Sequence, residues 1–171
     1  MLLNLVLIFL ILFLLLILSW VWPPDSPWAP WWRTNKDTAI AICKLANIKK
    51  GEIVYDLGCG DGTALITAAK EFGANGTGIE IDPVRFWTSK LLVRKNGLSK
   101  NIRILRKNFF NEDISEADIV IVYLVPKTLQ KLLPKFKKEL KKGTRIVSYV
   151  YEMDLPLKKY DKRKKLRLYT I

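Results

Sequence analysis

Histidine is absent from this 171-residue chain, which removes the side chain that most often moves protons near neutral pH. Cysteine is scarce. Cys43 and Cys59 are too few for a disulfide framework and are read as reduced thiols. No metal-ligand spacing is present, so no metal is expected. No repeat or low-complexity tract occurs beyond the first segment. Positive charge is missing from residues 1–32, although the chain holds 29 Lys and Arg against 16 Asp and Glu, a net charge of +13. The only acid in that stretch is Asp25.

Apolar residues fill the charge-free stretch. Residues 5–18 are Leu, Ile, Val and Phe without interruption, and residues 2–22 would reach about 31 Å as a helix, enough for one membrane crossing. A signal peptide would need a basic leader and a small-residue cleavage site, and neither is present. Trp20, Trp22, Trp28, Trp31 and Trp32 read instead as an interfacial belt. The expected organisation is a transmembrane helix over 2–22, a Pro/Trp-rich juxtamembrane linker over 23–34 and a catalytic domain over 35–171. Because every Lys and Arg follows the apolar segment, the positive-inside tendency places that domain on the cytoplasmic side of a single-pass anchor. From Lys127 onward there are 15 basic and 4 acidic residues. Anionic lipid headgroups are the nearest partner, at about 1 kcal/mol per basic residue close to the surface. Nucleic acid is the rival for so basic a chain and is disfavoured once the domain is tethered. The runs at 127–140 and 158–165 also suit plain solvated faces.

Chemistry concentrates at VYDLGCGDG, residues 54–62. Residues 54–57 form the apolar run of a buried strand and 63–72 have helical spacing, so Gly58, Gly60 and Gly62 fall on a strand-to-helix turn. Glycine suits a turn with unusual backbone angles that a cofactor must approach closely. Residues 76–80 read as a second strand ending at Glu80, where a doubly wound sheet meets ribose hydroxyls. Asp56 and Glu80 therefore frame one crevice. The spacing is G-x-G-x-G, not the dinucleotide G-x-G-x-x-G, and Asp56 and Asp61 would repel a pyrophosphate while tolerating a ligand with a sulfonium and an ammonium. A ligand-free glycine turn is the bland alternative, and the two acids in register argue against it. The string D-x-G-x-G-x-G resembles the first motif of class I S-adenosylmethionine-dependent methyltransferases. That resemblance implies S-adenosylmethionine as cofactor, with Asp56 serving its ammonium end and Glu80 its ribose.

The rest of the chain alternates strands and helices as an α/β sheet does. Helices are expected at 35–47, 83–96 and 127–140, the second opening on a proline. Strands are expected at 102–105, 119–122 and 144–150, with a short last one at 166–171. The 106–118 connection has room for a turn or a single helical turn. The alternation gives an α/β fold class, and the resemblance implies a doubly wound, Rossmann-like class I methyltransferase sheet, expected to be preceded by one transmembrane helix.

A narrower resemblance rests on SPWAPWWRT (26–34), YDLGCGDG, GIEID (78–82) and ADIVIVYLVPKTLQKLLPKFKKELKKGTRIVSYVYEM (117–153). These stretches resemble the small membrane-anchored methyltransferases related to the mitochondrial lysine methyltransferases of the ATP synthase c-subunit and the adenine nucleotide translocase. Tyr123, Leu124, Val125 and Pro126 match a Tyr-Leu-x-Pro signature after the fourth strand. Asn108 stands where many relatives carry an aspartate near the adenine, and the usual final hairpin is expected to be short or absent. Tyr123 and Pro126 fall at the carboxyl end of a strand beside the crevice, where such folds place ligand chemistry. They are the candidate catalytic residues, with strand-end packing as the bland role for Tyr123. Pro27, Trp28 and Pro30 are expected to line the acceptor's route. The Asn/Asp-Pro-Pro-aromatic tetrad of amino-methylases is missing, which disfavours an exocyclic amine or amide acceptor. A lysine acceptor must lose a proton, and without histidine that loss would follow desolvation of the amine, with positioning supplying most of the catalysis. The expectation is methylation of a lysine on a membrane-associated protein. A lipid or small hydrophobic acceptor, a non-catalytic cofactor-binding module and a nucleic-acid methylase are the alternatives.

Overall fold

The structure, a computed structural model, describes residues 2–21 and 33–171. The elements run α1 (Leu2–Val21), α2 (Lys36–Leu45), β1 (Ile53–Leu57), α3 (Thr63–Phe72), β2 (Asn75–Ile79), α4 (Pro83–Lys95), β3 (Ile102–Leu105), a 3-10 turn (Phe109–Asn111), β4 (Ile119–Val122), α5 (Pro126–Glu139), β5 (Arg145–Tyr149), β6 (Leu157–Asp161) and β7 (Leu166–Thr170). The strands form one mixed sheet in the order β3-β2-β1-β4-β5-β7-β6. The first five are parallel, and β7 pairs antiparallel with both β5 and β6.

Two layers of core follow from the period-two alternation of the central strands. Val54, Ile119, Ile121 and Val147 point to one face, where α2, α3 and α4 contribute Ile42, Leu65 and Phe86. Tyr55, Leu57, Val120, Val122 and Ile146 point to the other, against Leu129, Leu132 and Phe136 of α5. β4 is buried along its whole length, as a strand covered on both faces must be. Local caps fix the helix starts: the Asn35 side chain accepts from Thr38 N–H, and Asp82 accepts from Arg85 N–H just ahead of Pro83. β2 packs closely on α3. A Cβ at Gly78 would come within 2.7 Å of Cys59 Sγ and 2.8 Å of Leu65 Cδ1.

The final hairpin corrects an expectation. It is complete, formed by β6 and β7, and gives the sheet its seventh strand. Its outer strand reads LKKYD and is exposed almost throughout, so it lacks the apolar alternation that marks a strand. Lys158 and Lys159 there are the charges that keep a sheet edge from pairing with another chain. The expected solvated run at 158–165 is partly this strand.

The apolar run forms α1, and its described side chains, residues 4–18, are exposed. Those fifteen positions cover about 22 Å against a hydrocarbon thickness of about 30 Å. Among the described residues, no helix is long and apolar enough to cross a membrane, so the expected span over 2–22 is not established there. Pro27, Trp28 and Pro30, and the side chains of the other N-terminal tryptophans, lie outside the described residues.

Candidate active site

The aligned ends of the parallel strands build the site. Leu57 pairs with Ile79 and with Val122, Ile79 with Leu105, and Val122 with Ser148. One residue further along, Glu80, Gly58, Tyr123 and Tyr149 therefore form a row across the carboxyl edge of the sheet. The order in which strands are added reverses between the parallel neighbours β1 and β4, since β1 leads outward to β2 and β3 and the chain then returns to β4 on the other side of β1. Such a switch point opens a crevice where doubly wound sheets bind ligands.

Gly58, Gly60 and Gly62 all adopt positive φ, at 84°, 56° and 78°, which carries the chain from β1 into α3 without a side chain in the crevice. A Cβ on Gly58 would touch Leu124 Cδ2 at 3.4 Å. The turn is stapled to β2: Gly58 N–H donates to Ile79 O at 2.8 Å, and Gly60 N–H donates to Glu80 Oε2 at 2.9 Å. The other oxygen of Glu80 accepts from Asp82 N–H at 2.9 Å. Burial raises the Glu80 pKa, and these two amides oppose that rise.

Four carboxylates are buried around this turn, on Asp56, Asp61, Glu80 and Asp82. Burial, then Glu80, then Asp61 push the Asp56 pKa up to about 7. A cation in the crevice would relieve that repulsion, so the donor set fits a ligand with a sulfonium and an ammonium and opposes a polyphosphate. Asp61 accepts from Thr63 N–H and Oγ1 and from Arg33 Nε, the last at 2.6 Å. The sequence reading missed Arg33. No short motif joins residues 28 positions apart.

Tyr123 sits just past β4, half-buried, its ring centroid 4.3 Å from that of Tyr149. Together with Tyr151, Val150, Arg163, Lys164 and Lys165 these rings line an open cavity of about 430 Å³. Burial, with Tyr149 and Tyr151 nearby, raises the Tyr123 pKa above the ordinary phenol value, so at neutral pH it is a hydroxyl and not a base. Tyr149 and Tyr151 are brought together by Val150, whose φ of +70° is an outlier for a β-branched residue. Tyr151 N–H closes back onto Tyr149 O at 2.9 Å, a γ-turn in its rare positive-φ form. Strain of about 1–3 kcal/mol is held by neighbours: Val150 N–H donates to Lys165 O at 2.8 Å, and Arg167 Nη1 donates to Val150 O at 2.6 Å.

The other two candidates stand apart. Pro126 is exposed as the first residue of α5 and is not among the residues lining the cavity. Asn108 follows β3 and caps the 3-10 turn, its side chain accepting from Phe110 N–H at 3.1 Å. Tyr149 and Tyr151 were missed because neither carries a motif, although Tyr149 ends the β5 run.

Solved structures and curated relatives agree with this geometry. An RNA methyltransferase from Salinibacter ruber, solved with S-adenosyl-L-homocysteine, superposes with a TM-score of 0.78 at 33% identity, covering 82% of this chain and 94% of that one. A methyltransferase from Geobacter sulfurreducens, solved with the same ligand, shares the fold at a TM-score of 0.60 and 19% identity, over 67% of this chain and 47% of that one. The fold and the acidic glycine crevice are those of an S-adenosylmethionine-dependent methyltransferase. A protein-lysine N-methyltransferase of Saccharolobus islandicus is 40% identical over 131 residues, 76% of this chain and 80% of that one. The lysine N-methyltransferase of the ATP synthase c-subunit from Caenorhabditis elegans is 29% identical over 114 residues, 67% of this chain and 59% of its own length. Residues 56–156 match the ANTKMT methyltransferase domain, and the chain belongs to that family.

Proposed function

We propose that this chain methylates the side-chain amine of a lysine on a protein held at a membrane. The observation that carries the lysine reading is the cavity of Tyr123, Tyr149 and Tyr151, one strand over from the glycine turn. Bound S-adenosylmethionine supplies an electrophilic methyl on a sulfonium. Asp56 would hold its ammonium end and Glu80 its ribose, the glycine turn would allow its close approach, and Asn108 would stand on the adenine side. The tyrosine rings give the acceptor's alkyl chain an aromatic wall, and Arg163, Lys164 and Lys165 in the same lining favour the neutral amine, whose proton passes to water before the C–N bond forms and the S–C bond breaks. Such a site needs no histidine. Pro126 fixes the start of α5 and thereby the loop that carries Tyr123. The Saccharolobus islandicus enzyme, with its protein-lysine name and 40% identity, supports this acceptor.

α1 anchors the domain. Its side chains from Leu5 to Leu18 are apolar and exposed, a surface far larger than water tolerates on a soluble protein, which supports reading residues 2–22 as the membrane segment. With every Lys and Arg downstream, the domain faces the cytoplasm. A second reading, an RNA acceptor, is favoured by the same basic rim and by the name of the Salinibacter ruber relative. Incubating the full chain with methyl-labelled cofactor and total membranes, then separating protein, lipid and nucleic acid, decides between them. Label in protein, on lysine after hydrolysis, supports the proposal. Label confined to RNA or lipid overturns it.

A further inference from the structure

α4 carries an apolar stripe on its outer face. Val84, Trp87 and Leu91 are 53%, 62% and 64% exposed, and at spacings of three and four residues they lie along one side of the helix. The inner face is also apolar, with Phe86 and Val93 in the core, so the outer stripe is not needed for packing. A surface helix of a domain this size normally turns polar residues outward.

The charges beside the stripe have one sign. Within Pro83–Lys95 there are four basic residues and no acid. Lys90 and Arg94 flank the stripe on one side, while Lys95 lies at its carboxyl end, all three exposed. Lys90 Nζ stands 5.3 Å from the Trp87 ring centroid and 5.4 Å from that of Phe86, which holds its ammonium at the edge of the apolar surface.

We infer that α4 is a second membrane contact, lying flat on an anionic bilayer with Val84, Trp87 and Leu91 in the interface and Lys90, Arg94 and Lys95 among the headgroups. The combination is that of an interfacial helix: aliphatic and indole groups on one strip, cations on its borders. Nucleic acid would use the cations and could stack on Trp87, but Val84 and Leu91 gain nothing against phosphate. Because α4 begins three residues after Glu80, this docking holds the mouth of the cofactor crevice beside the headgroups, where a membrane-bound acceptor presents its lysine. The inference deepens the membrane reading above and rests on it for bringing the domain to a bilayer.

Trp87 is the single tryptophan after residue 32. In the full chain with Trp20, Trp22, Trp28, Trp31 and Trp32 changed to Phe, it is the only indole. This protein is reconstituted into vesicles of phosphatidylcholine, with or without phosphatidylglycerol, carrying bromines on the acyl chains near the headgroup. S-Adenosylhomocysteine binding checks the fold of each variant, and sedimentation with the vesicles separately reports the anchor. The expected result is strong quenching of Trp87 in anionic vesicles and weak quenching in neutral ones. Changing Lys90, Arg94 and Lys95 to Glu should abolish it, since three cations contribute on the order of a hundredfold to surface partitioning. A chain that sediments with Trp87 unquenched overturns α4 docking and leaves the anchor standing. Quenching that is equal in the two vesicles, or that survives charge reversal, also overturns it. Displacement of lipid quenching by a single-stranded RNA oligonucleotide would reassign the face to nucleic acid. Shielding of Trp87 from aqueous acrylamide without lipid would reassign it to a segment of this chain.

Discussion

Arg33 Nε donates to Asp61 Oδ2 at 2.6 Å, tying the segment just ahead of α2 to the tip of the glycine turn. The arginine is largely exposed and the aspartate is not, so the pair contributes little on its own, about 1 kcal/mol at most. Arg33→Ala should weaken S-adenosylhomocysteine binding by no more than about fivefold, less at high salt. Asp61→Ala should do more, because the amide and hydroxyl of Thr63 lose their acceptor as well. Titration calorimetry at two salt concentrations measures both. An arginine variant as damaging as the aspartate one would mean that the pair itself shapes the turn.

Glu80 joins the two turns that frame the crevice, through Gly60 N–H and Asp82 N–H. Glu80→Ala should weaken cofactor binding by roughly 1.5–3 kcal/mol, the range for hydrogen bonds to a charged group. It should also lower Tm, since two buried amides lose their acceptor. Unchanged affinity in a folded variant removes Glu80 from the cofactor site.

Asp56 gives the site a pH dependence. Its folded pKa, about 7, lies above the ordinary carboxylate value. The free protein therefore binds more protons than the unfolded chain between about pH 4 and 7, and this group's stabilisation, full below that window, is lost as pH rises through 7. A cationic ligand reverses the preference by favouring the ionised carboxylate. Cofactor affinity should rise up to about tenfold per pH unit below 7 and level off above it. Asp56→Asn should flatten that rise, weaken binding at pH 8 and raise the Tm of the free protein there. Affinity independent of pH between 5 and 8 in the native chain would show that Asp56 does not meet the ligand's charge.

The tyrosine cavity predicts a split between binding and turnover. Tyr123→Ala and Tyr151→Ala should lower methyl transfer about tenfold or more while changing cofactor affinity about twofold or less. Val150→Gly should relieve the positive-φ strain, keep Tm at or above the native value and lower kcat by loosening both rings. Equal losses in binding and turnover would return Tyr123 to sheet packing.

Deleting residues 1–22 tests the anchor. The shortened chain should appear in the soluble fraction with cofactor affinity intact, because the crevice residues lie downstream of Arg33. Full-length protein washed from membranes by carbonate would show that α1 does not cross.

The sequence alone determined most of the element order, because fully buried parallel strands are continuous apolar runs and the helices carry their own caps. Asn35, Asp82 and Pro83 mark two of those starts. It also determined the acidic glycine crevice proposed for the cofactor, since Asp56, Gly58, Gly60, Gly62 and Glu80 lie within 25 residues and their spacing is a local property of one strand-turn-helix-strand unit. Tertiary structure decided what depends on distant segments meeting. β6 is a strand only because β7 pairs with it, as its own residues are charged and exposed. Arg33 reaches Asp61, and Tyr123 reaches Tyr149, across 28 and 26 positions, with no periodicity linking either pair. The strained turn at Val150 is likewise invisible in a β-branched residue that favours strands. The proposed acceptor side rests on these long-range contacts, whose energies come from packing and hydrogen bonds made only once the sheet has closed.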